Sequence, residues 1–359
     1  MLSVLLFCLI GIAVGFVAGI LPGLHPNQVF VMLIALLPLL KLSQSELIAF
    51  IVSIAVSNVM FNYIPTLFFS LPDANTVMNL LPGHRMVLNG LGFEALLASL
   101  VGATLTLLVS VLALPILLEL IPLLHEVAYP YIHYLLLATI AYMVLKEKGV
   151  NKLICLLLFI LSGLWGLVTL NSPLIPSDLA LFPALTGLFG LPELISSLKQ
   201  SPSFPFQFKI SKLRVKNLHL AILAGLLAGL LVGILPGAGE AQAGMIVTEL
   251  LRLSDKGFLV ALAGINASNL FFSIISLYSL RKVRSGAAAA IAAGVKYFWL
   301  DDLALAASVA LISAGISAIL TLMLGKKMLS FLRKINYRKV SLLILAFTVA
   351  MVAIISKLP

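Results

Sequence analysis

Residues 15–23 read GFVAGILPG, and residues 229–237 read GLLVGILPG. The glycines and prolines of the two stretches match one for one, and Pro22 and Pro236 are 214 positions apart. Each Pro-Gly pair interrupts a long apolar run, where it frees backbone groups that lipid cannot satisfy. Interruptions at corresponding places in two halves of a chain indicate a transporter built from internal repeats, with a substrate site formed by the broken helices.

The composition defines the class of protein. The 359 residues are 62% hydrophobic and 10% charged, and the mean hydropathy is +1.17. Charged residues normally make up about a quarter of a soluble domain. The apolar runs are continuous rather than alternating, which excludes an outer-membrane barrel. The sequence therefore predicts an all-α polytopic membrane protein with roughly 10–12 membrane segments, counting helices of about 20 residues and shorter re-entrant pieces.

The net charge of +10 comes from Lys and Arg in short segments between the apolar runs. This pattern is typical of positive-inside topology and predicts no nucleic-acid partner. The loops around residues 146–152, 199–216 and 326–339 are therefore expected in the cytoplasm. Both termini are then expected outside, in a multi-pass protein of the cell membrane.

The chain is predicted to have three parts: a first repeat with connecting helices over residues 1–199, a polar cytoplasmic linker over 200–217, and a second repeat over 218–359. The helix over 93–121 should run outward and its counterpart over 302–325 inward, so the repeats are expected to have inverted topology. A turn is predicted at residues 82–85. The helices are expected at 1–21, 46–71, 93–121, 130–146, 151–171, 179–198, 218–235, 241–253, 257–280, 286–298, 302–325 and 340–358, with a half-helix at 27–40.

Polar residues follow both breaks. A short helix begins after each break, so its free N–H groups and positive dipole end favour an anion. The alternative is that each Pro-Gly pair only kinks a helix. The predicted substrate-binding residues at the breaks are Pro22, Gly23, His25, Asn27, Gln28, Pro236, Gly237, Gly239 and Gln242.

Two asparagines occupy matching apolar helices, Asn58 in the first half and Asn269 in the second. Carboxylates inside a membrane are costly unless they are used, and Asp73 and Glu240 are the acidic residues nearest the breaks. These four residues are predicted to hold a coupling ion, Na⁺ or H⁺. The alternative for the asparagines is hydrogen bonding between helices.

Two irregular segments follow these helices. The first carries Asn75 and Thr76, and the second carries Arg281, Arg284 and Ser285. Arginine presents a planar fork of donors that suits carboxylate or phosphate, so the second segment is a predicted anion clamp. The alternative is a basic loop beside lipid headgroups.

Enzyme signatures are missing from the sequence. It contains no His-Glu-x-x-His motif and no phosphate-cradling glycine-rich loop with lysine. Cys8 and Cys155 lie within apolar runs and suggest neither a disulfide framework nor a zinc site. The sequence therefore predicts no enzyme, no metal site and no cofactor other than the coupling ion.

Four motifs together resemble the large membrane subunit of the tripartite tricarboxylate transporters, in its archaeal branch. They are LPGL at 21–24, LPDANT at 71–76, FPALTGLFGLPEL at 182–194 and LPGAG at 235–239. The resemblance covers nearly the whole chain. It implies uptake of a carboxylate, with a small membrane subunit and an extracytoplasmic binding protein as partners.

The chain departs from the family pattern at two places. His-Pro-Asn stands at 25–27 instead of a glycine-rich continuation, and Arg-Lys-Val-Arg-Ser-Gly stands at 281–286 instead of a second Pro-Gly. The predicted function is an ion-coupled secondary transporter of a small organic anion, a carboxylate. The alternative is a lipid-phosphate translocase, in which the same groups would hold a polyprenyl phosphate headgroup.

Overall fold

In the computed structural model, every regular element of the described chain is a helix. The twelve α-helices described are α1 Leu2–Ile20, α2 Gln44–Phe69, α3 Leu80–Leu88, α4 Gly92–Leu112, α5 Leu114–Ala128, α6 Ile132–Lys146, α7 Asn151–Leu170, α8 Leu218–Ile234, α9 Asp255–Leu280, α10 Gly286–Gly294, α11 Leu300–Phe331 and α12 Tyr337–Ser356, with a 3₁₀ turn at Tyr129–Tyr131. The structure describes residues 2–21, 29–30, 32–34, 37, 41–69, 80–172, 187–188, 191, 195, 198, 208, 213–234, 239–240, 243–244, 247, 251–331 and 337–356.

Six of these helices are long and apolar enough to cross a membrane: α1, α2, α4, α7, α9 and α11. The prediction of a polytopic all-α membrane protein is therefore confirmed. The most buried of these spans are α2 and α9, and in each of them 83% of the apolar window is buried inside the bundle. These two helices form the centre of the bundle, and α1, α4 and α11 pack around them, whereas α7 packs mainly on α6.

Glycines spaced four residues apart join α1 to α2. Cβ atoms added to Gly11 and Gly19 would lie 2.6 Å from the Phe50 carbonyl oxygen and 2.7 Å from the Asn58 carbonyl oxygen. Glycines at this spacing form one face of a helix, and their small size lets two backbones approach closely. α1 therefore runs parallel to α2 with its backbone in contact.

The same arrangement joins α8 to α9, where Gly225 and Gly233 are each 214 positions after Gly11 and Gly19 of α1. A Cβ at Gly225 would lie 3.0 Å from the Ala261 carbonyl oxygen, and one at Gly233 would lie 2.8 Å from the Phe272 Cβ. Residues 15–20 and 229–234 are therefore the ends of two helices that each pack, through glycine, on a long central helix.

The directions of the helices follow from contacts at the two ends of the bundle. Lys256, in the first turn of α9, forms an ion pair with Glu94 in the first turn of α4, so these helices run the same way. Lys326, late in α11, lies over the Phe93 ring at 5.5 Å, so α11 runs opposite to α4. Gln44, which begins α2, donates to the Asp302 carboxylate at the start of α11 at 2.7 Å.

Corresponding helices of the two halves are therefore antiparallel, α2 to α9 and α4 to α11. We call the end of the bundle that holds Glu94, Lys256 and Lys326 the linker end. We call the opposite end, which holds Gln44, Asp302 and Arg281, the hairpin end.

Two expectations about local structure were wrong. The predicted turn at 82–85 lies inside α3, because Pro82 falls in the first turn of that helix, where a missing N–H costs little. The predicted single helix over 93–121 is two helices, α4 and α5. They meet at Ala113 (φ −81°, ψ 0°), and Pro115 follows near the start of α5, where proline cannot continue the preceding hydrogen-bond ladder. The predicted helices at 179–198 and 241–253 lie largely outside the described residues.

Candidate functional site

The chain resumes a helical path soon after the second break. α8 ends at Ile234, and the Ala243 N–H donates to the Gly239 carbonyl oxygen at 3.1 Å, four residues back. Glu240 therefore lies in the first turn of a new helix, and Gly239 precedes it. The predicted site residues Pro236, Gly237 and Gln242 lie outside the described residues.

Asn269 of α9 contacts both sides of this break. Its Nδ2 donates to Glu240 Oε1 at 2.6 Å. Its Oδ1 would lie 3.5 Å from a Cβ on Gly233, near the end of α8. Asn269 and Glu240 were predicted together as ion-coupling residues, and the structure brings these two side chains into contact.

A side chain from the first half also contacts the helix that carries Asn269. Tyr63 of α2 is fully buried, and its hydroxyl group donates to the Ala263 carbonyl oxygen at 3.5 Å. The same hydroxyl group interacts electrostatically with Glu240 and with Asn266. Tyr63 was not among the predicted site residues, because nothing in the local sequence relates residue 63 to residue 240. Only the antiparallel packing of α2 and α9 connects them.

The surroundings of the first break are described only in part. Asn58 is buried, with 2% of its surface exposed, and its carbonyl oxygen lies against Gly19 near the end of α1. This position corresponds to that of Asn269 beside Gly233. The predicted site residues Pro22, Gly23, His25, Asn27, Gln28, Asp73, Asn75 and Thr76 lie outside the described residues.

The segment between α9 and α10 turns back toward the interior of the bundle. Arg281 ends α9 in the left-handed conformation (φ 55°), and its guanidinium donates to the Phe298 carbonyl oxygen at 3.3 Å. Ser285 caps α10 by accepting from the Ala288 N–H at 3.1 Å. Its hydroxyl oxygen also lies 2.7 Å from that of Ser273. We call residues 281–285 the basic hairpin.

The basic hairpin therefore connects two depths of the bundle. Ser273 is four residues after Asn269, so Ser285 lies about 6 Å along α9 from Asn269, whereas Arg281 lies about 18 Å away. Arg281 and the pair Glu240–Asn269 are too far apart to contact one small anion directly. The predicted site residues thus fall into an inner group at the break and an outer group on the hairpin.

Two cations of the hairpin meet α5 and the turn after it. Lys282 Nζ lies 2.8 Å from His125 Nε2 and 3.9 Å from the centroid of the Tyr129 ring. Arg284 interacts electrostatically with Tyr129 and with His125. Burial and then the positive charges of Lys282 and Arg284 lower the pKa of His125 below its ordinary value. His125 is therefore neutral near pH 7 and accepts a hydrogen bond from Lys282.

Within the described part of the chain, no group of three or more metal-ligating side chains occurs. The acidic and basic residues instead form pairs at the bundle ends. At the linker end, Glu94 is only 6% exposed in its ion pair with Lys256. At the hairpin end, Asp302 accepts from Gln44 and from the Trp299 N–H. The Glu94–Lys256 ion pair and the Gln44–Asp302 hydrogen bond each join a helix of one half to a helix of the other.

The family of the chain is established by comparison. The model of the tripartite tricarboxylate transporter TctA family matches residues 5–358, so the chain belongs to this family of membrane transporters. The family resemblance expected from the four motifs is confirmed.

The chain is also similar to a protein of Methanocaldococcus jannaschii named "Uncharacterized protein MJ1079". The two are 30% identical over 355 residues, which cover 96% of this chain and 85% of that protein. No solved structure matches the chain.

Proposed function

We propose that the protein is an ion-coupled permease that carries a small organic anion, a carboxylate, through a site between the two Pro-Gly breaks. The observation that carries this proposal is the matched glycine packing of α1 on α2 and of α8 on α9. It brings two broken helices toward the interior from opposite ends of the bundle. The family membership supports the transporter class, and the matched contacts support a division into repeats, for which we propose the bounds 1–199 and 218–359.

The anion would bind to the helix ends at Pro22–Gly23 and Pro236–Gly237. After a break, the first N–H groups of the new helix lack partners within the helix and carry its positive dipole end. Two such ends that face each other can hold a carboxylate without a buried cation. The hydrogen bond from Tyr63 to the Ala263 carbonyl oxygen supports this arrangement, because it joins a first-half helix to the helix that carries Asn269.

The coupling ion would bind beside the anion, to Glu240 and Asn269, with Asn58 and Asp73 on the first-half side. A carboxylate in contact with an amide offers oxygen atoms to Na⁺ or a proton acceptor for H⁺. Either ion would neutralise Glu240 during transport. The hydrogen bond of 2.6 Å between Asn269 and Glu240 supports this role.

The orientation proposed from the basic loops puts the linker end in the cytoplasm. Arg85, Arg214, Lys216, Arg252, Lys256, Lys326 and Lys327 belong to that end. The basic hairpin lies at the other end of α9, which would then face outward. A basic segment on the outer side does not serve the positive-inside rule, so its charges favour a role in anion recognition.

In the cell membrane, the permease would contact lipid through α7 and the outer faces of the bundle. We propose a small membrane subunit and an extracytoplasmic binding protein as partners, because family members are large subunits of tripartite systems. The binding protein would deliver the anion to the hairpin end.

Uptake into proteoliposomes tests the function. Purified protein should accumulate radiolabelled citrate or fumarate against its gradient when a Na⁺ or H⁺ gradient is imposed. Glu240→Gln should lose gradient-driven accumulation and keep exchange of labelled for unlabelled anion, because the neutral amide mimics the ion-loaded carboxylate. Glu119→Gln, at an exposed position on α5, is the matched control and should behave like the parent.

Failure to accumulate or exchange any carboxylate would refute the proposal. Translocation of a fluorescent polyprenyl phosphate by the same preparation, without carboxylate uptake, would instead establish the lipid-phosphate alternative.

A further inference from the structure

The basic hairpin and α5 form a second cluster, which the inner site does not use. Its members are Lys282 and Arg284 from the hairpin and His125 and Tyr129 from the segment that follows α4. His125 is 157 positions away from Lys282 in sequence, yet their nitrogens are 2.8 Å apart. His125 is only 9% exposed. Burial and the two nearby cations disfavour the charged form of this histidine.

The cluster has excess positive charge. Among the described residues, no ion pair involves Lys282 or Arg284. The buried Arg284 Nε and His125 Nδ1 have no hydrogen-bond partner in the described structure. Arginine and lysine that converge without a carboxylate, beside N–H groups that lack acceptors, suit an oxyanion.

We propose that His125, Tyr129, Lys282 and Arg284 form an outer oxyanion site at the mouth of the transport path, and that anion binding there takes up a proton on His125. The site would accept a carboxylate or a phosphodiester. The inference deepens the proposed function and rests on it for the direction in which the anion then moves, past Ser285 toward the break.

The proton uptake follows from the geometry of the cluster. Lys282 donates to His125 Nε2, so a proton on that nitrogen would put two cations 2.8 Å apart. An anion between the two groups removes this repulsion and can accept from both. Binding therefore raises the pKa of His125 from its lowered value, and a ligand that raises a pKa binds more tightly as the pH falls. A rise of about one unit gives up to about tenfold tighter binding at low pH.

Few other titratable groups can affect the protonation of His125. The hairpin contributes Lys282 and Arg284, and the 3₁₀ turn contributes Tyr129 and Tyr131. The helices packed on α5 carry Glu94, His219, Asp255, Lys256 and Tyr278, and none of these five acts on His125. Glu119 and Glu126 lie on α5 itself and are exposed. The pH dependence of anion binding is therefore expected to come from His125.

Isothermal titration calorimetry in phosphatidylcholine nanodiscs tests the site. Fumarate suits the experiment, because both of its carboxyl groups stay ionised from about pH 6 to about pH 8, where histidine titrates. Repeating each titration in two buffers of different ionisation enthalpy gives the number of protons taken up. The parent should take up part of a proton and bind up to about tenfold more tightly at pH 6 than at pH 8.

Variants test whether the binding and the proton uptake come from the residues of the cluster. His125→Gln should still bind fumarate, with no proton uptake and no pH dependence. His133→Gln, which changes an exposed histidine whose ring lies 4.0 Å from that of Tyr134, should match the parent. Lys282→Met should weaken binding about tenfold or more, as expected for loss of a charged hydrogen bond. Lys296→Met, a lysine over the Tyr297 ring at the same end, should not.

Nanodiscs of phosphatidylglycerol distinguish the two sources of oxyanion. If the lipid headgroup occupies the site, fumarate binding weakens there and less proton is taken up, because His125 is already charged. If both lipids give the same result, the site takes the soluble anion. The outer site would be overturned by proton uptake that persists in His125→Gln, or by equal effects of Lys282→Met and Lys296→Met. It would also be overturned if the parent showed neither fumarate binding nor any effect of the lipid. Carboxylate uptake that continues in such a case would leave the proposed function standing.

Discussion

Alanine at Gly15 should push α1 away from α2, whereas alanine at Gly229 should be tolerated. A Cβ at Gly15 would lie 2.7 Å from the Ile54 carbonyl oxygen, and one at Gly229 would lie 3.1 Å from the Ile265 carbonyl oxygen. Ordinary contact begins at 3.4 Å. The helix must therefore shift by about 0.7 Å in the first case and about 0.3 Å in the second, against backbone that cannot rotate away.

The side-chain contacts are alike in the two cases. Both added Cβ atoms would also meet a serine hydroxyl, Ser57 or Ser268, which can rotate. Overpacking costs about 1–3 kcal/mol, and alanine regains up to about 1 kcal/mol over glycine within a helix. We expect Gly15→Ala to destabilise the α1–α2 contact by about 2 kcal/mol and Gly229→Ala to change α8–α9 by less than about 1 kcal/mol.

Labelling of Cys8 measures the effect. Cys8 is buried on α1, 3.6 Å from the Ser313 hydroxyl oxygen on α11, so it reacts only when α1 separates. In a Cys155→Ser background, Gly15→Ala should raise the maleimide labelling rate more than about tenfold, since 1.4 kcal/mol corresponds to a factor of ten. Adding Ser57→Ala should not restore the parent rate, because the Ile54 carbonyl oxygen remains. An unchanged rate in Gly15→Ala, or full rescue by Ser57→Ala, would refute the argument.

Two further predictions concern polar contacts at the bundle ends. Lys256→Met should destabilise the protein by about 3 kcal/mol in thermal unfolding, because it leaves the Glu94 carboxylate buried without its partner. Arg85→Gln, which removes an exposed ion pair with Asp255 at 3.6 Å, should lower the stability by less than about 1 kcal/mol. If Lys256→Met and Arg85→Gln lowered the stability equally, the argument from burial would be contradicted. Ser285→Ala should cost about 1 kcal/mol through loss of the α10 cap, and an unaltered melting temperature would show that the cap contributes nothing.

Sequence patterns predicted the class, the principal spans and the antiparallel halves, because these depend on apolar length, glycine spacing and the position of basic loops. The pairing of Asn269 with Glu240 was also within reach of the sequence, since both lie near one break. Proline led to two errors, at residues 82 and 115. In each case its effect depended on its position within a helix turn, which hydrophobicity does not reveal.

The outer cluster could not be predicted from local sequence. His125 is an isolated histidine in a segment without Lys or Arg, and its partners come from a hairpin 157 positions later. In the sequence, Tyr63 is likewise an ordinary residue of an apolar helix, and only the packing of α9 on α2 relates it to the second half. Contacts between halves depend on how the helices assemble, and single-sequence periodicity carries no information on that. The other predicted site residues at the breaks stay predictions.

The distance between the two breaks tests the central claim most directly. Spin labels on Leu24→Cys and Ala238→Cys, in a background without Cys8 and Cys155, report this distance by dipolar spectroscopy in nanodiscs. If the two helix ends form one anion site near the middle of the membrane, the labels should lie within about 20 Å of each other. A distance of about 30 Å or more, the thickness of the hydrocarbon core, would place the breaks at opposite surfaces and contradict the shared site.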